Sequence, residues 1–412
     1  MLRLCADARV PVTPAGGRSS VVGGTVPVHG GVLLDLTELS GIEEVDATAG
    51  SSRSSPARSA TPSRTSCRPP TGSPSATGRS PCRCRRSAAG SPAGAGQLSN
   101  RYGKIEDIVV GLEVVLADGT VVRTGGQPRE AIGPDLTRLF VGAEGTLGVI
   151  TRAWLQAWPT PHHTARGAWS FPTFSAALDA MRRITQRGAP VAVLRLYDGI
   201  ESQRNFGELG VEATDNVLLA YDEGDTLMVG AAMAVVDAEC AGARRLDDAL
   251  VERWFGHRNE VSALEALISK GYVVDTMEIS APWSKLDAIY EAAVAAISAV
   301  PGTLAASAHQ SHSYLTGACL YFTFAAQVAP DEREAYYRAV WDAGTRAVLA
   351  EGGSLSHHHA VGLNRARFLP EVLGEGFGVL TSIKAALDPH GICNPGKLGL
   401  PDPFGGEAWP GA

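Results

Sequence analysis

Histidine and tyrosine side chains that could move protons stand in two short segments of the C-terminal half. His357, His358 and His359 form a run between an expected helix and Gly362, and Tyr314 precedes an apolar stretch. A phenol there would project at the mouth of a strand. Because histidine exchanges protons near neutral pH and binds metals, these residues are candidates for acid–base chemistry. A solvated or core-packed histidine run is the alternative.

Charged and sulfur side chains add one further candidate. Arg195 lies in an expected strand over residues 191–197, where its guanidinium could bind an anion or form a strand-end salt bridge. The seven cysteines are odd in number and include no C-x-x-C pair, which argues against a disulfide framework and a zinc site. We therefore predict no metal.

Two glycine segments could hold a phosphate group. Gly16 and Gly17 precede Arg18 and two serines, and three further glycines stand within residues 142–148. Consecutive glycines let backbone N–H groups approach an anion without a Cβ clash. No G-x-G-x-x-G motif opens a helix and no P-loop motif occurs, which argues against the corresponding nucleotide sites.

Hydrophobic periodicity and turn residues predict a mixed chain of two domains that would position these residues. We expect a buried strand over 31–36, a hairpin over 113–124 that turns at Asp118-Gly119, and an apolar strand over 139–141. Helical spacing indicates helices over 173–188, 283–300 and 331–351. We place a first domain at 1–160, a second at 161–400 and a tail at 401–412.

Residues 51–96 are abnormal in composition. They contain no Val, Ile, Leu, Met, Phe, Trp or Tyr and no Asp, Glu or Lys, but eight arginines. Such a stretch cannot offset its ordering entropy by burial, so we predict disorder. A basic linker is one interpretation. Because a long linker inside one domain is unusual, the hypothesis that we favour is a pair of compensating frameshifts. Codons for 88–95 can be chosen that encode Gly-Trp-Leu-Ala-Cys-Arg-Ser in a shifted frame.

The segments around this stretch resemble the flavin-binding domain of FAD-linked oxidases of the vanillyl-alcohol-oxidase and p-cresol-methylhydroxylase type. The matching pieces are PAGGRSS at 14–20, SNRYG at 99–103 and GAEGTLGVIT at 142–151. The resemblance implies an α+β fold, in which a two-subdomain flavin-binding domain precedes an α/β substrate cap domain. It also implies an N-terminally truncated chain that holds FAD non-covalently. The residues that it assigns to FAD are Pro14, Gly16, Gly17, Arg18, Ser19, Ser20, Val21, Gly142, Ala143, Glu144, Gly145, Thr146, Gly148, Val149 and Ile150.

Two later segments look like the alkylglycerone-phosphate synthase branch of this superfamily. They are SLSHHH at 354–359 and SYLTGACLYF at 313–322. This resemblance implies an exchange of an acyl for an alkoxy group through a flavin N5 adduct, without net redox. Tyr314 would then accept or donate a proton, His357, His358 and His359 would be polar site residues, and Arg195 would lie near the substrate phosphate. The branch has a further substrate-contacting arginine where this chain has Leu264.

Two other functions stay open. An FAD-dependent 2-hydroxyacid dehydrogenase is the first, although the metal-binding motifs of those enzymes are replaced here by residues 312–317 and 358–360. A degenerate protein without flavin is the second. FAD and a small-molecule or lipid-like substrate are the expected partners, and superfamily members often dimerise, so a homodimer is a further expectation.

Charge and hydropathy limit the remaining partners. The net charge of −7 argues against nucleic acid. No stretch of about 18 apolar residues predicts a membrane span. We expect a cytoplasmic protein, peripheral to a membrane if its substrate is a lipid.

Overall fold

The structure, a computed structural model, describes residues 1–46, 48–56, 96–258 and 262–405, which form two compact units. The first unit takes the described residues up to 96, residues 103–160 and those from 358 onward. The second unit comprises residues 97–102 and 161–357. The sequence boundary at 400 differs from this division because the chain after His357 packs with the first unit. Most of the predicted disordered segment, residues 57–95, lies outside the described residues, as do residues 406–412 of the predicted tail.

The described helices alternate with strands along the chain. The helices are α1 (Leu2–Ala8), α2 (Ser99–Tyr102), α3 (Ile105–Ile108), α4 (Leu136–Phe140), α5 (Phe174–Gln186), α6 (Gly199–Phe206), α7 (Thr226–Glu239), α8 (Ala249–His257), α9 (Ser262–Ser269), α10 (Leu286–Ser298), α11 (Arg333–Ala350), α12 (Leu369–Leu373) and α13 (Glu375–Leu387). Short 3-10 helices cover Gly207–Leu209, Trp283–Lys285 and Ala366–Phe368.

The described strands belong to three sheets. They are β1 (Val12–Ala15), β2 (Val32–Asp35), β3 (Ser40–Asp46), β4 (Ser51–Pro56), β5 (Val109–Val115), β6 (Val121–Gly125), β7 (Val149–Gln156), β8 (His163–Phe171), β9 (Val193–Tyr197), β10 (Asn216–Gly224), β11 (Arg244–Leu246), β12 (Val273–Pro282), β13 (Thr303–Tyr314) and β14 (Gly317–Ala326). β1 and β2 form a parallel pair, and β3-β4-β7-β5-β6 form a five-stranded sheet. The third sheet has the order β11-β8-β10-β9-β13-β14-β12.

Local signals in the first unit predict some elements and miss others. The β5–β6 hairpin turns at the predicted Asp118-Gly119. The predicted strand over 139–141 is wrong: Asp135 caps the N-terminus of a helix there by accepting from the backbone N–H of Thr137 and Arg138. The predicted disorder is wrong for Ser51–Pro56, because β4 pairs with both β3 and β7 through its backbone. β2 forms as predicted but alternates in exposure, and Leu33 is 42% exposed.

The second unit follows the sequence patterns more closely. α5 starts after Thr173, whose hydroxyl accepts from Ala176 N, and the chain turns at Gly188 with φ 79. The predicted helices over 283–300 and 331–351 are confirmed as α10, after one 3-10 turn, and α11. The antiparallel seven-stranded sheet packs one apolar face on α5, α7, α10 and α11. Its other face packs a smaller apolar cluster of β8, β9 and β10 on α6 and α8. Beside this cluster, the same face carries the polar side chains of the candidate site.

Candidate active site

A row of polar and aromatic side chains crosses four neighbouring strands of the seven-stranded sheet. His309 on β13 is the register partner of Tyr197 on β9 and of Tyr321 on β14, and Tyr321 is in turn the partner of Glu278 on β12. Directly paired residues of antiparallel strands project from the same face. The row therefore lies on one face of the sheet. Tyr314 and His357 lie at the same face.

Tyr314 and His357 form a direct polar contact at this face. The phenol oxygen of Tyr314, the last residue of β13, lies 2.6 Å from His357 Nε2. Glu278 fixes the loop that carries His357, because its buried carboxylate accepts from Ser356 Oγ at 2.7 Å and from the backbone N–H of His357. A phenol and an imidazole at this distance can exchange a proton.

The other two histidines of the run belong to the first unit. His358 and His359 pack edge to face, with ring centroids 4.7 Å apart. Their expected role as polar site residues stays a prediction.

Sulfur and nitrogen donors lie beside the tyrosine–histidine pair. His312 and Cys319 are register partners, and the His312 and His357 rings are 4.9 Å apart. One ligand atom from each of His312, Cys319 and His357 lies within 4.8 Å of the others. Imidazole and thiolate are ligands that zinc and similar ions prefer. The sequence prediction of no metal did not foresee that β13 and β14 would align His312 with Cys319.

Arg195 lies on the same sheet face as the row. It is half-buried, and its Nε donates to Tyr197 Oη at 2.7 Å. Its Nη2 lies 2.7 Å from His309 Nε2. The guanidinium carbon is 5.2 Å from the centroid of the Tyr197 ring and 5.8 Å from that of Trp254. Hydrogen bonds and cation–π contacts thus fix this side chain.

The SNRYG segment is bound to β10 and β13 of this sheet by side-chain hydrogen bonds. Arg101 forms a bidentate pair with Asp222 at 2.9 and 2.5 Å. Tyr102 donates to Glu223, and Asn100 Oδ1 accepts from Ser313 N at 2.9 Å. A cavity of about 280 Å³ opens beside Tyr314, and its lining includes Asn100. The segment therefore places an amide next to the candidate acid–base residue.

In the first unit, residues 14–21 and 142–148 form what we call the glycine cradle. Gly145 has φ 76, and a Cβ there would lie 2.5 Å from Pro14 Cγ, so the two segments touch. Gly142 has φ 91 with open space beside it. Arg18 takes the left-handed φ of 51, and its guanidinium pairs with Asp35 at 3.1 Å.

The side chains assigned to FAD from sequence fall into two groups. Arg18, Ser19 and Val21 are exposed in the loop after β1. Val149 and Ile150 lie in β7, and their side chains are buried in the core of the first unit. The Thr146 hydroxyl donates to Ala143 O at 2.7 Å and so stabilises the second segment.

The C-terminal segment closes the cradle from one side. Asn394 Nδ2 donates to Gly24 O at 3.0 Å and to Glu144 O at 2.6 Å. Glu144 is buried and accepts from the backbone N–H groups of Val361 and Gly362 at 2.9 and 2.8 Å. Burial raises the pKa of Glu144 to about 7 in spite of these hydrogen bonds. Asn394 was not identified as a site residue from the sequence.

The cradle fits FAD by the chemistry of its donors. In the described part of the chain, the backbone N–H groups of residues 16–20 donate to no protein acceptor. Asn394 Oδ1 is buried and receives no hydrogen bond from any described residue. Free amides suit a pyrophosphate, and the buried carbonyl and the open side of Gly142 can receive the rest of the cofactor.

Comparison with known proteins decides the family. Residues 160–398 match the family described as FAD linked oxidases, C-terminal domain, and residues 1–125 match FAD binding domain. The chain belongs to the FAD-linked oxidase family. FAD is therefore its cofactor, and the chain is a flavoenzyme.

Sequence relatives of this flavoenzyme differ in their names. It is 31% identical over 320 residues to the uncharacterized FAD-linked oxidoreductase YgcU of Escherichia coli K12, covering 74% of this chain and 66% of the relative. It is 28% identical over 347 residues to alkyldihydroxyacetonephosphate synthase of Trypanosoma brucei brucei, covering 75% and 55%. A probable mitochondrial D-lactate dehydrogenase of Danio rerio is 27% identical over 424 residues, covering 97% and 81%.

Solved structures confirm the fold of the flavoenzyme. One structure of alkyldihydroxyacetonephosphate synthase superposes with a TM-score of 0.73 at 22% identity, covering 96% of this chain and 74% of the other. p-Cresol methylhydroxylase superposes with a TM-score of 0.68 at 16% identity, covering 98% and 87%. The predicted α+β fold of the p-cresol-methylhydroxylase type is confirmed. Within the described residues, no helix has the length and apolar character to cross a membrane.

Proposed function

We propose that this flavoenzyme exchanges the acyloxy group of an acylated dihydroxyacetone phosphate for the alkoxy group of a long-chain alcohol. The observation that carries the proposal is the 2.6 Å contact between Tyr314 Oη and His357 Nε2 on the polar sheet face. The similarity to alkyldihydroxyacetonephosphate synthase supports it. The exchange releases a fatty acid, forms an ether bond and is redox-neutral overall.

Each part of the chain has a defined task in this proposal. The glycine cradle and Asn394 hold FAD, which supplies an electrophilic, redox-active ring when bound. Tyr314 Oη takes a proton from the substrate and passes one to His357 Nε2, and Glu278 keeps His357 in reach. Arg195 binds the phosphate of the substrate, since a guanidinium matches two oxyanion oxygens at once.

A second candidate is oxidation of a 2-hydroxy acid. The cluster of His312, Cys319 and His357 favours it, because a bound metal ion could hold a hydroxyl and a carboxylate of such a substrate. The similarity to D-lactate dehydrogenase points the same way. In this candidate Arg195 would bind the substrate carboxylate instead of a phosphate.

One experiment compares the two candidates on FAD-loaded protein. The first arm supplies acyl-dihydroxyacetone phosphate with hexadecanol and measures released fatty acid and alkyl product. The second arm supplies D-lactate or glycolate with an electron-accepting dye, with and without a chelator. We expect exchange in the first arm and no dye reduction in the second. Chelator-sensitive dye reduction without exchange would replace the first proposal by the second.

Two tyrosine variants show whether the acid–base pair carries the activity. Tyr314→Phe should lower kcat by about 100-fold or more, since proton transfer by a positioned side chain contributes about that much. Tyr336→Phe is the matched control, because this tyrosine is buried but its hydroxyl contacts only Thr303 among the described residues. Equal activities of the two variants would remove Tyr314 from the mechanism.

A further inference from the structure

Hydrogen bonds link Arg195 to two further side chains that lie deeper in the protein. Arg195 Nη2 lies 2.7 Å from His309 Nε2, and His309 Nδ1 lies 2.8 Å from Glu201 Oε2. Arginine only donates hydrogen bonds, so Nε2 of His309 must accept. The imidazole proton is therefore on Nδ1, where it is donated to Glu201. The contacts define one tautomer of a neutral histidine.

Glu201 is built to stay ionised although it is 1% exposed. Its Oε1 accepts from Thr323 Oγ1 at 2.7 Å and from Ser307 Oγ at 3.3 Å, and it pairs with Arg204 at 3.2 Å. Burial alone would raise the pKa of Glu201, but the hydrogen bonds from His309 and Thr323 and the charge of Arg204 lower it. The position of Glu201 is also fixed, because Asp198 accepts from its backbone N–H at the start of α6.

His309 is held between two tyrosine rings. Tyr321 stacks on the imidazole, with ring centroids 4.6 Å apart and an interplanar angle of 15°, and the Tyr197 centroid lies at 5.5 Å. Burial is the main cause that lowers the pKa of His309. The charged and titratable groups around it are Glu201 and Arg204 from α6, Arg195 and Tyr197 from β9, Tyr321 from β14, and Asp198 at the end of β9.

The inserted histidine leaves the outer part of Arg195 available. The guanidinium has five N–H donors, and two of them bind Tyr197 and His309. The other three have no partner in the described part of the chain. A direct pair of Arg195 with Glu201 would use the guanidinium fork and neutralise its charge. A neutral histidine takes only one N–H donor of Arg195, so the guanidinium keeps its positive charge and its remaining donors.

We propose that His309 and Glu201 are positioning residues that aim the guanidinium of Arg195 at an oxyanion of the substrate. The proposal rests on the anion-binding role of Arg195 under the proposed function. Phosphate and carboxylate share the recognising chemistry, and they correspond to the two candidate reactions.

The first test titrates FAD-loaded protein with inorganic sulfate, a probe whose charge is constant between pH 5 and 8. Arg195→Gln should weaken sulfate binding by about 100-fold and His309→Phe by about tenfold, as losses of charge-assisted hydrogen bonds. His309→Gln should stay within about threefold, because its amide oxygen can accept from Arg195. The proposal is overturned if His309→Phe binds sulfate like the parent protein, or if its loss persists in the Arg195→Gln background.

A matched control separates positioning from stability. Ser170 is a buried residue of β8 whose hydroxyl donates to Asp215 at 2.6 Å, away from the row. Ser170→Ala should lower the melting temperature but leave sulfate affinity unchanged. Equal losses of affinity in Ser170→Ala and His309→Phe would show a merely structural effect.

The tautomer of His309 gives a readout that does not depend on any ligand. Nitrogen NMR of histidine-labelled protein, assigned with His309→Gln, should show a neutral ring protonated at Nδ1 at pH 7. Glu201→Gln should mix the two tautomers and weaken sulfate binding severalfold. A ring protonated at Nε2, or charged, in the parent protein would refute the geometry, and an unchanged tautomer in Glu201→Gln would remove Glu201 from the proposal.

The pH dependence and the choice of anion complete the design. Burial lowers the pKa of His309, so its ring takes a second proton only at a pH below the usual histidine range. That proton converts the acceptor into a donor, so sulfate affinity should fall as the pH is lowered through this transition in the parent protein and not in His309→Gln. Dihydroxyacetone phosphate and D-lactate are then compared as ligands of Arg195. If neither candidate reaction occurs but the sulfate and NMR results hold, the proposed function fails and the positioning role stands.

Discussion

Replacing Gly145 by alanine should damage the FAD site through one contact. A non-glycine residue in the left-handed region costs roughly 1–2 kcal/mol, and Gly145 has φ 76. Its new Cβ would lie 2.5 Å from Pro14 Cγ, and overpacking of this kind costs about 1–3 kcal/mol more. We therefore expect Gly145→Ala to lower the free energy of unfolding of the first unit by about 2–5 kcal/mol.

The same overlap should weaken FAD binding. If the two cradle segments separate to relieve it, binding must restore their contact against about 1–3 kcal/mol, which corresponds to roughly a 5- to 150-fold loss of affinity. Flavin fluorescence during titration of the apoprotein measures this loss, and denaturant unfolding measures stability. An affinity within threefold of the parent protein would refute the idea that the two segments form one cradle.

Gly188 provides the matched control for this substitution. It has nearly the same φ of 79, but a Cβ there would meet nothing within 4 Å, and it follows α5 in the second unit. Gly188→Ala should show only the backbone cost of roughly 1–2 kcal/mol and unchanged FAD affinity. A Gly145→Ala variant that loses no more stability than this control would contradict the close contact with Pro14.

Three further predictions concern the same unit. Arg18→Gly should raise the free energy of unfolding by about 1 kcal/mol, because it relieves φ 51 while losing only an exposed pair with Asp35; lower stability in denaturant would disprove this. The pKa of Glu144 is about 7 in the folded state, above the ordinary glutamate value of 4.5. The free energy of unfolding of the first unit should therefore fall by on the order of 3 kcal/mol as the pH rises from 4.5 to 7, and Glu144→Gln should flatten this slope; an equal slope in the variant would contradict it. Asn394→Ala should weaken FAD binding by about tenfold or more in the same fluorescence titration, since it removes the hydrogen bonds to Gly24 O and Glu144 O and one buried acceptor; unchanged affinity would exclude Asn394 from the site.

Elements with strong local signals were predictable from the sequence. The Thr173 cap and Gly188 delimit α5, and Asp118-Gly119 marks a hairpin, because both signals lie within a few residues of the structure that they specify. The strand predicted over 139–141 was wrong because the residue that starts the helix, the N-cap Asp135, lies before the apolar run. Apolar content alone does not distinguish a short buried helix from a strand.

The candidate site was predictable only in part. Tyr314 and His357 were identified from sequence, and the structure joins them. The link between Glu201 and His309 could not be foreseen, because these residues are 108 positions apart and meet only where α6 packs on β13. The polar alternation of Ser307, His309 and Ser311 in an otherwise buried strand was the available signal.

Residues 393 and 394, near the end of the described chain, pair with β1, and this pairing has a consequence for synthesis. The backbone of Cys393 forms an isolated parallel β-bridge with that of Val12, and the Asn394 N–H donates to Val12 O at 2.8 Å. A nascent chain thus finishes residues 161–357 while the pocket for the flavin still lacks its final wall. A chain that ends shortly before residue 392 would lack this wall, and we expect it to bind no FAD.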